Sequence, residues 1–497
     1  MNVVDAFLQH ACPDWRMGGG PYQVRHRHTA ERILRQHPEA ADANLFTRIV
    51  CGDRDGVERI LSESPFAARQ VGGPKHWPPL LYLCAGRLTR ESFAANSVAI
   101  AKLLLDRGAD PNAYFWGGNE LIHYTALTLT IGQGEERAPL HPQAPALAAL
   151  LLERGAEPYD GQTFYNISQG ALRDDIIWLL DLIHDRSLAL GRQTDWADPE
   201  WRMIDMGGYG FGARFILEHA IKDNQLKVAE WALAHGASAN AAPARDKRWS
   251  KLSLLDEAYH RGLQALADLL ARHGGKPGDI ALTGEQAFAS ACLRLDRDAA
   301  RAMAADHPEY LQSPAALRVA AQTDRTDVVD LLLDLGTAPD VENPKQPGER
   351  ALHSAAYAGA ARVAQQLIDR GARVDPVDAT HVGTPLWWAM WGRQQATVDV
   401  LAPRSVDLWA LTSLGRIDRI REVVHEIPES AKWTGESTPL FWLPDDEDLA
   451  VEIIDLLVAH GADPRFQRKD GRTAADIARE RWMHRAGALL QSARVQG

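Results

Sequence analysis

Apolar residues along this chain fall at three- and four-residue spacing in short runs, and each run ends on a glycine followed by a polar turn. Six runs show it: "AKLLLDRGADPNA" (101–113), "AALLLERGAEPYD" (148–160), "AEWALAHGASANA" (229–241), "VDLLLDLGTAPDV" (329–341), "AQQLIDRGARVDP" (364–376) and "IDLLVAHGADPRF" (454–466). The leucines mark one buried face of a helix. Gly108, Gly155, Gly236, Gly336, Gly371 and Gly461 then supply the left-handed residue that closes its last turn. The glycines are separated by one to three units of a little over about 30 residues, the length of one helix pair. A chain of 497 residues is well beyond the size at which one core stops growing. The period predicts an elongated array in which each pair packs on the next.

The residues carry a resemblance. "RALHSAAYAGAARVAQQLIDRGARVD" (350–375), "STPLFWLPDDEDLAVEIIDLLVAHGADPRF" (437–466) and "RKDGRTAADIARER" (468–481) are similar to ankyrin repeats. Arg350 stands at the family's threonine, Ala351, Leu352 and His353 follow as its Pro-Leu-His, and Gly371 arrives 21 positions after Arg350. Residues 45–65 and 284–308 keep only the helix pattern. The resemblance implies an all-α ankyrin-type solenoid with short hairpin loops and about ten or more degenerate repeats. The expected organisation is an N-terminal cap over 1–40, repeats over 41–162, an irregular repeat over 163–205, repeats over 206–405, and C-terminal repeats with a closing cap over 406–497.

Two units break the spacing. From Pro78 to Gly108 and from Thr125 to Gly155 the distance is 30 positions instead of 21, and the surplus falls between first and second helix. The predicted loops, 87–97 and 131–145, belong to adjacent units and would form a lip, the kind of place where scaffolds carry binding function. Glu135, Glu136 and His141 are the candidate acid and base residues there. His123, Tyr124 and Trp116 before the loop, with Tyr159 and Asp160 after it, are candidate binding residues. The blander reading is a solvated loop stiffened by Pro139 and Pro142, with Asp160-Gly161 as a hairpin tip.

Composition adds constraints. The formal net charge of -12 repels phosphate backbones, so nucleic acid is not an expected partner. No basic leader or long apolar span is evident, so a cytoplasmic protein with no membrane partner is expected. Cys12, His26 and His28 could contribute to a metal site, but no fourth ligand is visible, and no metal or cofactor is expected. Of the 15 tryptophans, Trp387, Trp388 and Trp391 lie in "TPLWWAMWG", with Trp433 and Trp442 nearby in sequence. A first helix that lines the concave side cannot hide all three rings of "LWWAMWG", which makes Trp387, Trp388, Trp391 and Trp442 candidate anchors.

No GxSxG, HExxH, phosphate-loop or paired CxxC signature occurs. The expectation is a scaffold that binds a protein through its concave face and the lip. The alternative is an enzyme or small-ligand receptor with an acidic and histidine pocket at that lip.

Overall fold

The repeats begin where a side chain supplies an acceptor for the first helical N–H groups. Thr384 accepts from Trp387 N ahead of Pro385–Trp391, and Pro385 occupies the first helical position, where no N–H is needed. Thr125 does the same for Ala126–Ile131, and Thr473 forms a capping box with Asp476 ahead of Ala474–Glu480. The stops are equally local. All six glycines of the apolar runs have positive φ, from 85° at Gly108 to 108° at Gly336.

This computed structural model describes residues 2–14, 21–117, 122–134, 138–169, 176–243 and 251–493. The chain divides into two compact units, Met1–Ala281 and Leu282–Gly497. The described residues are mostly helical. Their only sheet is a two-stranded antiparallel hairpin, Tyr114–Trp116 against His123–Thr125. None of their helices is long and apolar enough to cross a membrane.

The C-terminal unit is a succession of helix pairs. Ala315–Gln322 and Thr326–Leu335 are followed by Ala351–Ala358 and Ala361–Asp369, then Pro385–Trp391 and Gln395–Leu401, then Leu408–Ser413 and Ile417–Glu426. First helices pack on first helices and second helices on second. The buried residues form one cluster that runs from Phe288 to Leu490, as expected when each pair covers its neighbour's apolar face. His353 ties consecutive repeats together. Its Nδ1 accepts the Arg350 N–H, which leaves the ring proton on Nε2 to donate to Gly383 O at 3.2 Å. Burial holds this imidazole below the usual histidine range.

In the N-terminal unit, Val3–Ala11 and Pro21–Gln36 precede the pairs Leu45–Cys51 with Arg54–Glu63, Pro79–Ala85 with Glu91–Asp106, and Ala126–Ile131 with Ala144–Glu153. Residues 163–205 contain the helix Ile177–Ala189 and the short helix Gln193–Ala197, where Trp196 Nε1 donates to Ser187 Oγ at 2.6 Å. The segment expected as a loop over 87–97 is a loop only to Arg90, and residues 91–97 are helical. The reason lies in the previous repeat. Ser92 Oγ donates to Cys51 O, Asn96 Nδ2 donates to Gly52 O, and Phe93 and Ser97 are fully buried, so the extra residues lengthen the helix and dock it there.

Candidate functional site

The largest gathering of tryptophans lies in the C-terminal unit. The N-cap at Thr384 fixes the phase of Pro385–Trp391, and the turn before it is held by Asp378, which accepts from Thr380 N, His381 N and Gly383 N. The same carboxylate accepts from Trp388 Nε1 at 2.9 Å. Burial alone would raise the Asp378 carboxyl, but the N–H donors from His381, Trp388 and Gly383 outweigh it and hold it below the usual carboxylate range. Trp388 then stands edge-on to His381, Tyr357 and His353, with ring centroids 5.6, 6.0 and 5.3 Å away.

Trp387 points along the array to Trp442, with centroids 4.6 Å apart at 87°. Ser437 anchors that end, its hydroxyl accepting from Trp442 Nε1 at 3.0 Å and its carbonyl from Trp409 Nε1 at 3.3 Å. Two adjacent cavities result. One, of about 410 Å³, lies among Tyr357, Trp387, Trp388 and Trp391; the other, of about 470 Å³, among Trp387, Trp409, Trp433 and Trp442. Both include His381 and Trp387.

Asp375 and Asp407 also line the second cavity. Asp375 accepts from Ser405 Oγ and Val406 N, and Asp407 from Thr384 Oγ1, Trp409 N and Ala410 N. Burial raises both carboxyls above the usual range, and the charge of Asp407 adds to the rise at Asp375. The structure therefore brings together the candidates Trp387, Trp388, Trp391 and Trp442 and joins to them Tyr357, Asp375, His381, Asp407 and Trp409, which the sequence reading does not single out. A signal was present. Tyr357 and Trp391 both fall seven residues after their N-caps, Arg350 and Thr384, so superposing the repeats puts them in one row.

The expected lip in the N-terminal unit is built differently. Glu135 and Glu136 lie outside the described residues. The described part of the insertion meets Arg87 through Pro139 O; Arg87 is a buried guanidinium with no carboxylate partner among the described residues. Arg87 donates to Cys84 O and Gly86 O at 2.8 Å, to Pro139 O at 2.7 Å, and to Leu129 O. Burial lowers its pKa to about 10. Its acceptors belong to two helix C-termini, where carbonyls lack helical donors, and to the inserted loop.

His141 is 2% exposed, edge-on to Phe93, and its Nδ1 accepts from Gln143 N. Burial, with Arg87 adding to it, holds the imidazole far below the ordinary histidine value. Of the three acid and base candidates, His141 alone lies among the described residues, and its buried ring satisfies the Gln143 N–H of the loop.

The hairpin sorts its own candidates by strand alternation. Trp116 is 48% exposed beside exposed Tyr114 and His123, whereas Tyr124 turns inward and stacks on Phe115 at 5.3 Å. Trp116, His123, Tyr159 and Asp160 line one open cavity of about 590 Å³. Asp160 is not a hairpin tip. Its Oδ2 accepts from the hydroxyls of Thr125, Thr128 and Thr163 at 2.6, 2.8 and 3.1 Å, which binds two repeats together. Tyr159 carries Arg192 over its ring at 5.2 Å.

The metal candidates do not converge. Cys12 Sγ donates to Tyr82 O at 3.3 Å, and burial pushes its thiol up to about 12. His26 meets His10 with Nδ1 atoms 2.7 Å apart, while His28 Nε2 faces Arg27 at 3.2 Å. No trio of His, Cys, Asp or Glu among the described residues is placed to hold a metal ion.

Paired helices, threonine caps, left-handed glycine stops and a continuous core define a helical repeat protein. Residues 317–411 match the family model for ankyrin repeats in three copies, so that stretch of the C-terminal unit is similar to the ankyrin repeat family. It is 25% identical over 196 residues to the putative ankyrin repeat protein YahD of Escherichia coli (strain K12), an alignment that covers 36% of this chain and 96% of that relative. Trp387, Trp388, Trp391 and Trp409 lie inside the matched stretch; Trp433 and Trp442 lie beyond it.

Proposed function

We propose that this chain is a cytoplasmic scaffold whose ankyrin-type array extends well beyond 317–411 to ten or more degenerate copies, and that it binds a protein partner through the aromatic groove. Ankyrin repeats are generally protein-interaction modules. The observation that carries the reading is the groove itself: aromatic side chains from consecutive repeats converge on one face, and Trp433, Val377 and Val382 remain exposed at its rim. An exposed apolar patch with rigid aromatic anchors is what a buried contact needs. Helix pairs from Leu45–Cys51 to His484–Ser492 support the longer array. The four cysteines, all buried and unpaired, suit a reducing compartment.

The test is affinity capture with wild type, Trp433→Ala and Trp391→Ala, each checked for an unchanged melting transition. A protein retained by wild type and lost by both variants supports the reading. Retention by both variants would sink it.

A further inference from the structure

The groove is apolar on its walls and negative on its floor. Asp375 and Asp407 line the second cavity, and Glu436 stands at its rim. Among the described residues neither cavity is lined by a lysine or an arginine; the only basic side chain is His381. Glu436 has its own cation, Lys469 at 2.7 Å. Asp375 and Asp407 instead accept from hydroxyls and backbone N–H groups; Arg419, which donates to Ser405 O at 3.1 Å and is not in the cavity lining, is the one cation whose charge acts on Asp375 among the described residues. A carboxylate has about four lone-pair directions, and the contacts made here leave some of each carboxylate's capacity unused.

Around these carboxylates stand Trp387, Trp409, Trp433 and Trp442. The faces of indole rings attract cations, and they do so more strongly where water is partly excluded. Two acids that line one cavity with four indoles, and that no lysine or arginine of that lining neutralises, suit a single positive side chain. The groove continues past Trp387 into the first cavity, which is walled by Tyr357, Trp388 and Trp391 and has no acid in its lining. A small free cation would leave that cavity and the exposed Val377 and Val382 uncovered. An extended polypeptide covers both, because neighbouring side chains can enter neighbouring cavities.

We infer that the partner presents an extended basic segment, with a lysine or arginine side chain entering between Trp433 and the Asp375–Asp407 pair and an apolar side chain entering the cavity of Trp388 and Trp391. The inference rests on the groove being the binding site and names the chemistry that fits it.

The experiment is calorimetric titration of the full chain with hexapeptides that alternate leucine with arginine, lysine, glutamine or glutamate, alongside arginine amide as a small-cation arm. The arginine and lysine peptides are expected to bind at least about tenfold more tightly than the glutamine peptide and than arginine amide, and the glutamate peptide not at all. Asp375→Asn and Asp407→Asn, which remove the charge at nearly constant size but keep only one of the two acceptor oxygens and are therefore each checked for an unchanged melting transition, are expected to weaken the basic peptides about tenfold, and Trp433→Ala at least as much. Equal binding of the glutamate peptide, or unchanged affinity in both asparagine variants, overturns the inference. If an uncharged or acidic peptide binds and Trp433→Ala abolishes it, the groove stands as the site and the basic partner is rejected. If basic peptides bind and Trp433→Ala has no effect, the groove itself is rejected.

Discussion

The two units solve the join between first and second helix in opposite ways. In the C-terminal unit Gly359 and Ala360 suffice between Ala351–Ala358 and Ala361–Asp369, and the side chains left on the first-helix face are free to build a groove. In the N-terminal unit two joins are longer: in the first Arg87 gathers four carbonyls, in the second His141 is buried, and after the second helix Asp160 accepts from three threonines.

Acid should separate the units most strongly. Burial first, then His26 and Lys75, brings His10 down to about 3, and burial brings His219 to about 4 and His141 far below its ordinary value of 6.5. A histidine neutral in the folded state takes a proton on unfolding, so its contribution is complete above about pH 6.5 and is lost as pH falls toward the folded value. Between pH 7 and 5 each such histidine should cost about 1 to 2 kcal/mol. In the C-terminal unit His353 shifts the same way, but Asp375 and Asp407 shift up, and their protonation relieves burial. Hydrogen exchange at pH 5 should show the N-terminal unit losing protection first; earlier loss in the C-terminal unit would break the comparison.

Replacing Arg87 with Met should destabilise the N-terminal unit by about 3 kcal/mol or more, because four carbonyls lose their donor and each buried unsatisfied acceptor is costly. Faster exchange over 132–143 is the local readout. Gly52 and Gly371 test the glycines of each unit. Both have positive φ, but a Cβ at Gly52 would meet Ser92 O at 2.3 Å, whereas at Gly371 nothing lies within 4 Å. Gly371→Ala should cost about 1 kcal/mol from backbone conformation alone, and Gly52→Ala clearly more. Equal shifts in melting temperature would show that the docking of Glu91–Asp106 on Gly52 is loose. The smallest effect is expected at Trp433→Ala, within about 0.5 kcal/mol, since a partly exposed surface side chain holds little of the core.

These contrasts follow what local sequence can specify. The glycine stops and threonine caps were legible because the residue that makes each feature is also the residue that shows it. Half of the groove was legible for the same reason: Trp387, Trp388 and Trp391 share one helix. Trp409 and Asp407 come from the next repeat and only the stacking distance brings them in, whereas Asp375 and His381 lie in the turn ahead of Pro385–Trp391, where their polar character reads as that of any turn. Residues 91–97 read as a loop because their polar serine and asparagine face the carbonyls of another repeat, a contact invisible along the chain. The burial of His141 was not legible because nothing in its own stretch of sequence announces Arg87.

The Arg87 arrangement also constrains how this chain can change over generations. A loop held by a guanidinium and a guanidinium satisfied in part by a loop each cost more without the other: shortening 132–143 removes one of the four acceptors of a buried charge, and losing the arginine strands the carbonyls. The two features are expected to be gained and lost together, so the extra length of this repeat is inherited as a pair of changes and not as a simple insertion.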